Sequence, residues 1–279
     1  MPDRASRTHH DQMNIALIGT GRMGAAIAEL AHPEHTVVAR FNRLNPLTRA
    51  SFDGMRLPDV AIDFSSADAV AANVDICSQL GIPVVVGTTG WQGNRASVEQ
   101  SVRDANGTLL HASNFSIGIA VVRQMLRTAL PSLNRIDDVS VRIHDVHHAN
   151  KQDAPSGTAL ALGNMILGGL DNISRIDPVD DPDSSAHDAI AITSDRVGDV
   201  FGTHSVEFST PLDSITIIHD ARSRTGFAAG AIRAAEWLVG RRGVYTFDDV
   251  FGGLSQPAVS RSAVRSDPPA VPYMHAFGV

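Results

Sequence analysis

The chain carries a single cysteine, Cys77, among 279 residues, so no intrachain disulfide can form. Cys77 falls in a predicted apolar helix, where a thiol packs as a small, inert hydrophobe. Nowhere do about 18 apolar residues run uninterrupted, which leaves no candidate membrane helix. The polar opening at 1–12 lacks the apolar core of a signal peptide and reads as a flexible extension or as an upstream start choice. Dense Lys/Arg runs are missing too, and the net charge of -7 argues against nucleic acid or an anionic membrane as principal partner. These absences together lead to the expectation of a soluble, cytoplasmic protein. What is present in quantity is apolar residue, 43% of the chain, enough for one large domain or two modest ones.

The densest chemistry lies at 144–158. There His144, Asp145, His147 and His148 are followed by Lys151, Asp153 and the run Pro155, Ser156, Gly157, Thr158. Alternating Val139, Val141 and Ile143 predict a strand that delivers the histidines to a loop, and the Pro155 run opens a helix. A helix start offers unpaired N–H groups and positive dipole to an anion. Histidine exchanges protons near neutral pH, and Lys151 adds fixed positive charge. The combination describes a site for a carboxylate substrate that must be protonated. A metal site on His144, Asp145, His147 and His148 is the weaker alternative, because a neighbouring lysine repels a dication and no cysteine joins the set. Ser156 is not in a G-x-S-x-G elbow, so it reads as an N-cap or a substrate hydrogen-bonding group rather than a nucleophile.

The first half reads as nucleotide-binding. An apolar strand, Asn14–Ile18, runs into Gly19, Thr20, Gly21, Arg22, Met23 and Gly24, and then into a strong helix former at 25–31. That order gives the three glycines the roles of tight turn, close approach to pyrophosphate and close helix packing. Further strands at 36–41, 60–64, 83–88 and 108–112, with helices at 67–80 and 94–104, predict a parallel sheet wrapped by helices. Ligands of such sheets sit beyond the carboxyl ends of the strands, where Asp63, Phe64 and Ser65, then Gly87, Thr88, Thr89 and Gly90, then Ser113, Asn114, Phe115 and Ser116 fall. About 20 residues past the glycine turn a carboxylate usually meets the ribose, but here Arg40, Phe41, Asn42 and Arg43 stand instead. An arginine suits a 2′-phosphate and favours NADPH, although a solvent-exposed arginine explains the same letters.

In the second half a helix at 117–130 precedes the histidine strand. Strands at 139–145, 189–193, 205–209 and 214–219 predict a sheet of about four strands. The stretch between Arg196 and His204, with Gly198 and Gly202, reads as a glycine-hinged hairpin, 171–187 as a loop, and 228–238 as a helix able to pack back on the first half.

From Asn14 to about Gly253 the sequence resembles the 4-hydroxy-tetrahydrodipicolinate reductase (dihydrodipicolinate reductase) family. The resemblance rests on the glycine turn, Asp63 to Ser65, Gly87 to Trp91, Asn114 to Gly118, the His147, His148, Lys151, Asp153 to Thr158 stretch, the Arg196, Gly198, Gly202, His204 pattern, and Ser223, Arg224, Phe227, Gly230. It implies a Rossmann-type α/β unit plus an α+β substrate and oligomerisation domain with a mixed sheet, divided as 13–116 with 225–254 packing back, and 117–224, between tails at 1–12 and 255–279. It further implies NADPH- or NADH-dependent reduction in lysine and diaminopimelate biosynthesis, and a homotetramer. By the same resemblance His147 is the proton donor and Lys151 the catalytic lysine, while His148, Ser156, Gly157 and Thr158 hold substrate. Gly87, Thr88, Thr89, Ala112, Ser113, Asn114 and Phe115 would line the nicotinamide end, Gly19 to Gly24 the pyrophosphate, Arg43 the adenosine ribose, and Arg224 and Phe227 the cofactor side.

Departures from the family pattern are Asp145 for the usual glutamate, a glycine turn one residue short, a short segment between the second and third strands, Asn42 at a commonly acidic place, and the proline-rich 255–279. Another small Rossmann reductase or amino-acid dehydrogenase would explain the glycine turn but not the His-Lys-Ser-Gly-Thr array. A catalytically silent nucleotide sensor would lack His147 or Lys151, and both are present.

Overall fold

A computed structural model describes residues 12–223 and 225–252. The expectations for the termini, apart from residue 12, and for Arg224 lie outside the described residues. In chain order the elements are β1 (Asn14–Ile18), α1 (Arg22–Ala31), β2 (Thr36–Phe41), β3 (Val60–Asp63), α2 (Ala67–Leu80), β4 (Val84–Val86), α3 (Arg95–Asp104) and β5 (Thr108–His111). There follow α4 (Ile117–Leu133), β6 (Ser140–His147), α5 (Gly157–Leu167), β7 (Arg175–Pro178), β8 (Ala189–Arg196), β9 (Thr203–Ser209) and β10 (Ser214–Asp220). The chain then returns through α6 (Thr225–Leu238), β11 (Gly243–Thr246) and the short α7 (Asp249–Gly252). No helix among the described residues is long and apolar enough to cross a membrane.

Six parallel strands form the first sheet, in the order β11-β5-β4-β3-β1-β2. Parallel sheets are covered on both faces, and the buried runs of β3 and β4 reflect this. Period-two alternation divides the strands between two cores. Ile15, Leu17 and Ile62 pack under α1 and α6, while Ala16, Ile18, Ala61, Val84 and Val86 pack under α2 and α3, where Cys77 is also buried. The alanines of α6 (Ala228, Ala231, Ala234, Ala235) are fully buried in the first of these cores, so the last long helix belongs to this sheet. The sixth strand, β11, comes from the same returning segment.

A second, mixed sheet runs β10-β9-β6-β8-β7, with β6, β8 and β7 parallel to one another, β9 antiparallel to β6, and β10 antiparallel to β9. Val141, Ile143, Ile190, Ile192, Val206 and Phe208 meet Leu126, Leu130, Leu162 and Ile166 of α4 and α5 on one face. Two expectations are corrected here. The sheet has five strands rather than about four, because β7 forms inside the 171–187 stretch read as a loop, as a short edge strand with half-exposed residues. Nor do β8 and β9 form a hairpin. They flank β6 on opposite sides, so residues 197–202 cross over the end of β6.

Candidate active site

That crossover assembles the site. Asp145 and His147 lie two residues apart on β6 and therefore share its inward face, both buried, while His144 points to the other face and meets Thr193 and Asp195. Arg196 at the end of β8 and His204 at the start of β9 close in from either side. The crossing segment is pinned to the strand by hydrogen bonds from Val197 N–H to the His147 carbonyl (2.8 Å) and from Ala149 N–H to the Gly198 carbonyl (3.0 Å). Gly202 has φ +147, a region that favours glycine, and a Cβ there would lie 2.9 Å from His147 Nε2. Glycine leaves that nitrogen uncovered.

Asp145 Oδ2 accepts from the Ser156 N–H (2.8 Å) and from Arg196 Nη2 (3.1 Å). Its Oδ1 lies 3.0 Å from His147 Nδ1 and 3.3 Å from His204 Nε2. Both Oδ1 contacts are close approaches rather than aligned hydrogen bonds. Burial pushes the Asp145 carboxyl up, but the approach of the His204 ring and the hydrogen bonding of Ser156 outweigh it and hold the group well below the usual carboxylate range. His147 is lowered to about 4, by burial first and then by His204, Lys151 and Arg196, with Asp145 working in the opposite sense.

Ser156 is the N-cap of α5, its Oγ accepting from Ala159 N–H at 3.2 Å and touching His204 Nε2 at 3.3 Å. Beside it Gly157 faces open space. Thr158 Oγ1 accepts from Asn114 Nδ2 at 2.8 Å, so the helix start is tied directly to the end of β5 and the first sheet. Lys151 Nζ lies 2.6 and 2.8 Å from the two Asp153 oxygens, in the loop between β6 and α5. The lysine depresses the Asp153 carboxyl. His148, half-buried, begins this loop.

At the first sheet, Gly19 has φ +96, and a Cβ on it would come 2.2 Å from the Phe64 carbonyl oxygen. A Cβ on Gly24 would come 2.0 Å from the Gly19 oxygen. Gly21, the N-cap of α1, has no capping side chain and nothing within 4 Å of its Cβ position, so the first turn of α1 opens onto a cradle with room for a pyrophosphate. Thr20 and Arg22 are exposed there, whereas Met23 packs against the core. Asn42 Nδ2 bonds Thr20 Oγ1 (3.3 Å), and Arg43 beside it is exposed.

Buried Asp63 accepts from Ser65 N–H (2.8 Å), Thr88 Oγ1 (2.9 Å) and Asn73 Nδ2 (2.9 Å), which locks the ends of β3 and β4 together around Gly87 and Thr88. Thr89 and Ser113 are exposed at those ends and Ala112 is half-buried. The Phe115 ring instead lies in the core against Phe64 and Phe247, leaving only its backbone for a ligand. Phe227 lines a cavity of about 310 Å³ with Ser116, His219 and Ser223.

The four residues considered as a metal set are divided by the strand, with His144 on the far face. Asp145, His147 and His204 do gather within 4.8 Å. Their carboxylate is already engaged by Arg196 and the Ser156 N–H, and the positive charges of Arg196 and Lys151 acting at His147 oppose a dication there. Sequence reasoning named Asp145 only as an alternative metal ligand and a departure from the family pattern, Asp63 only as a strand-end residue, and Arg196 and His204 only as part of that pattern, with no site role for any of the four. The two-residue spacing of Asp145 and His147 on a strand was the available signal for the first.

Family models for dihydrodipicolinate reductase match twice, the N-terminal model over 13–115 and the C-terminal model over 118–251. The 4-hydroxy-tetrahydrodipicolinate reductase of Christiangramia forsetii is 36% identical over 245 residues, 87% of this chain and 99% of that protein. That of Methanosarcina barkeri is 32% identical over 268 residues, 86% and 99% of the two chains. Among solved structures, a dipicolinate-bound dihydrodipicolinate reductase from Paenisporosarcina sp. TG-14 superposes with a TM-score of 0.70 at 20% identity, covering 84% of this chain and 97% of that one. An amine dehydrogenase from Mycobacterium smegmatis follows the same fold, with a TM-score of 0.59 at 12% identity and coverage of 86% and 96%.

Proposed function

Because this chain belongs to the dihydrodipicolinate reductase family, we propose that it reduces 4-hydroxy-tetrahydrodipicolinate to tetrahydrodipicolinate with a pyridine nucleotide, in lysine and diaminopimelate biosynthesis. The observation that carries this reading is the convergence of a buried imidazole, the chain's only lysine and an open helix start at the end of β6. Gly19 to Gly24 would hold the pyrophosphate, Gly87, Thr88, Thr89, Ala112, Ser113, Asn114 and the Phe115 backbone the nicotinamide end, and Arg224 and Phe227 would lie on the cofactor side. The bound nucleotide supplies a hydride to the ring of a cyclic imine dicarboxylate.

The protein's residues position and protonate. The Ser156, Gly157 and Thr158 helix start receives one carboxylate of the substrate, with His148 and Lys151 receiving the other. Thr158 Oγ1, now bonded to Asn114, is placed to turn to that carboxylate. His147 gives its proton to the carbon that becomes carbanionic when the neighbouring carbon takes the hydride. Two substrate carboxylates beside His147 oppose the effects that lower its proton affinity in the free protein. Loss of water from the hydroxylated precursor at the same site follows the family's activity.

We assign 13–116 with 225–254 to cofactor binding and 117–224 to substrate binding, an assignment supported by the two sheets and their separate cores. Arg43 and the carboxylate-free end of β2 favour NADPH over NADH. A homotetramer built on the second sheet and a cytoplasmic location complete the reading. The deciding experiment is NAD(P)H oxidation with freshly generated 4-hydroxy-tetrahydrodipicolinate as substrate. Absence of turnover with both nucleotides would refute it.

A further inference from the structure

Asp145 is fully buried, yet donors from the strand, the helix start, β8 and β9 all reach its two oxygens. A third contact to Oδ2 comes from Ser194 Oγ at 3.4 Å. An ionised carboxylate is costly to bury, and packing alone at this place would be served as well by an apolar side chain. Its partners are unlike ordinary core partners. One is the imidazole assigned as proton donor, and another is the N–H that begins the carboxylate-binding helix. A single rigid group thus spans the source of the proton and the cradle of the substrate. Arg196 extends the same connection, since it donates to Asp145 Oδ2 and to the Asp153 carbonyl in the loop that carries Lys151.

His204 completes the arrangement. Its ring stands edge-on to that of His147, with centroids 5.1 Å apart, and its Nε2 reaches both Asp145 Oδ1 and Ser156 Oγ. Its Nδ1 is buried without a hydrogen-bond partner, so Nε2 is the ring nitrogen that faces the two oxygens. With His147 Nδ1 turned toward Asp145, the other ring nitrogen lies beside Gly202, where no side chain covers it.

Resting on the assignment of His147 as proton donor, we propose that Asp145 is the positioning residue of the proton transfer. It fixes the His147 ring with Nδ1 inward and Nε2 free, and it holds that ring at a set distance from the Ser156 helix start. His204 is the second positioning residue, keeping the carboxylate ionised and in place. Neither residue touches substrate. Both act through His147, whose charged form the Asp145 anion stabilises.

The test uses the full chain with Asp145→Asn, Asp145→Glu, His204→Gln and His147→Gln, measuring kcat, KM, nucleotide affinity, the pH profile of kcat and the solvent deuterium isotope effect. The charged or titratable groups around His147 are Asp145 on β6, Lys151 and Asp153 in the following loop, Arg196 on β8 and His204 on β9, with His219 of β10 behind His204. Removing the Asp145 anion lowers the proton affinity of His147, so the decline of kcat on the alkaline side should move to lower pH. In Asp145→Asn kcat should fall by about 10²- to 10³-fold, the solvent isotope effect should rise, and KM and nucleotide affinity should stay within about threefold. His204→Gln should shift the same quantities in the same directions by about tenfold in kcat. Asp145→Glu should regain at least about a tenth of wild-type kcat and the wild-type pH profile, because charge returns.

If Asp145→Asn keeps wild-type kcat and an unshifted profile, or if Asp145→Glu is no better than Asp145→Asn, the proposal is overturned. Should Asp145→Asn not fold, Asp145→Glu and His204→Gln decide, and a wild-type isotope effect and pH profile in His204→Gln would reject the role of that residue. If His147→Gln itself retains turnover, the assignment of the proton donor fails instead.

Discussion

His147 and Lys151 sit within one strand end and one loop, but their surroundings ask different things of them. His147 is buried among Asp145, His204 and Arg196, so His147→Gln should leave folding and nucleotide affinity intact while lowering kcat by about 10²- to 10⁴-fold. Lys151 is paired with Asp153 and partly exposed, and in the proposed reaction substrate would meet its charge on binding as well as later. Lys151→Ala should therefore raise KM and lower kcat together. The pH dependence follows from the lowered proton affinity. An acid must be protonated, so the free protein, with His147 at about 4, should lose kcat/KM as pH rises past that value. In the proposed complex the substrate carboxylates would raise the His147 value, so the corresponding decline of kcat should fall at higher pH. Coincident declines in the two profiles would count against His147 as the acid. At the cofactor end, Arg43→Ala should weaken NADPH more than NADH. Equal losses in a direct titration would show that Arg43 does not meet the 2′-phosphate.

Elements differ in how much of them the sequence exposes. Runs such as Ile15 to Ile18 and Val60 to Ile62, buried on both faces, and the strong helix former after Gly24 place β1, β3 and α1 directly, because local pattern and tertiary burial agree. β7 escaped because four residues including Asp177 and Pro178, half-exposed at a sheet edge, carry no alternation to read. The supposed hairpin between β8 and β9 failed for a different reason. Gly198 and Gly202 announce a turn, but nothing local reports that β6, some fifty residues earlier, inserts between the two strands. That insertion is also why the tasks of Arg196 and His204 stayed hidden while His147 did not. The cofactor turn offers a test at this scale. A methyl group on Gly24 would meet the Gly19 carbonyl, so Gly24→Ala should push α1 from the turn and weaken nucleotide binding by more than about tenfold, a loss titration would detect.

Over the whole molecule, two sheets with separate cores are joined where Asn114 meets Thr158 and where Arg123 of α4 pairs with Asp248 ahead of α7. The outer face of the second sheet carries Ile218 of β10, 66% exposed and paired with Ser205. If this face is the tetramer interface, Ile218→Glu should lower the mass measured by light scattering while the monomeric fold, followed by circular dichroism, survives. An unchanged mass would place the interface elsewhere.

β6 is the middle strand of its five, with a hydrogen-bonded neighbour on each side, whereas Lys151 hangs from the loop that follows it. Amide hydrogens in the β6 interior should accordingly exchange with deuterium only through the rarest openings, and those at 149–154 through frequent local fraying. The proposed proton donor thus rides on the slowest-opening part of its sheet and the lysine on a fast one. Mild urea, below the global unfolding transition, should erode affinity for the dicarboxylate before it touches the rate of the bound complex.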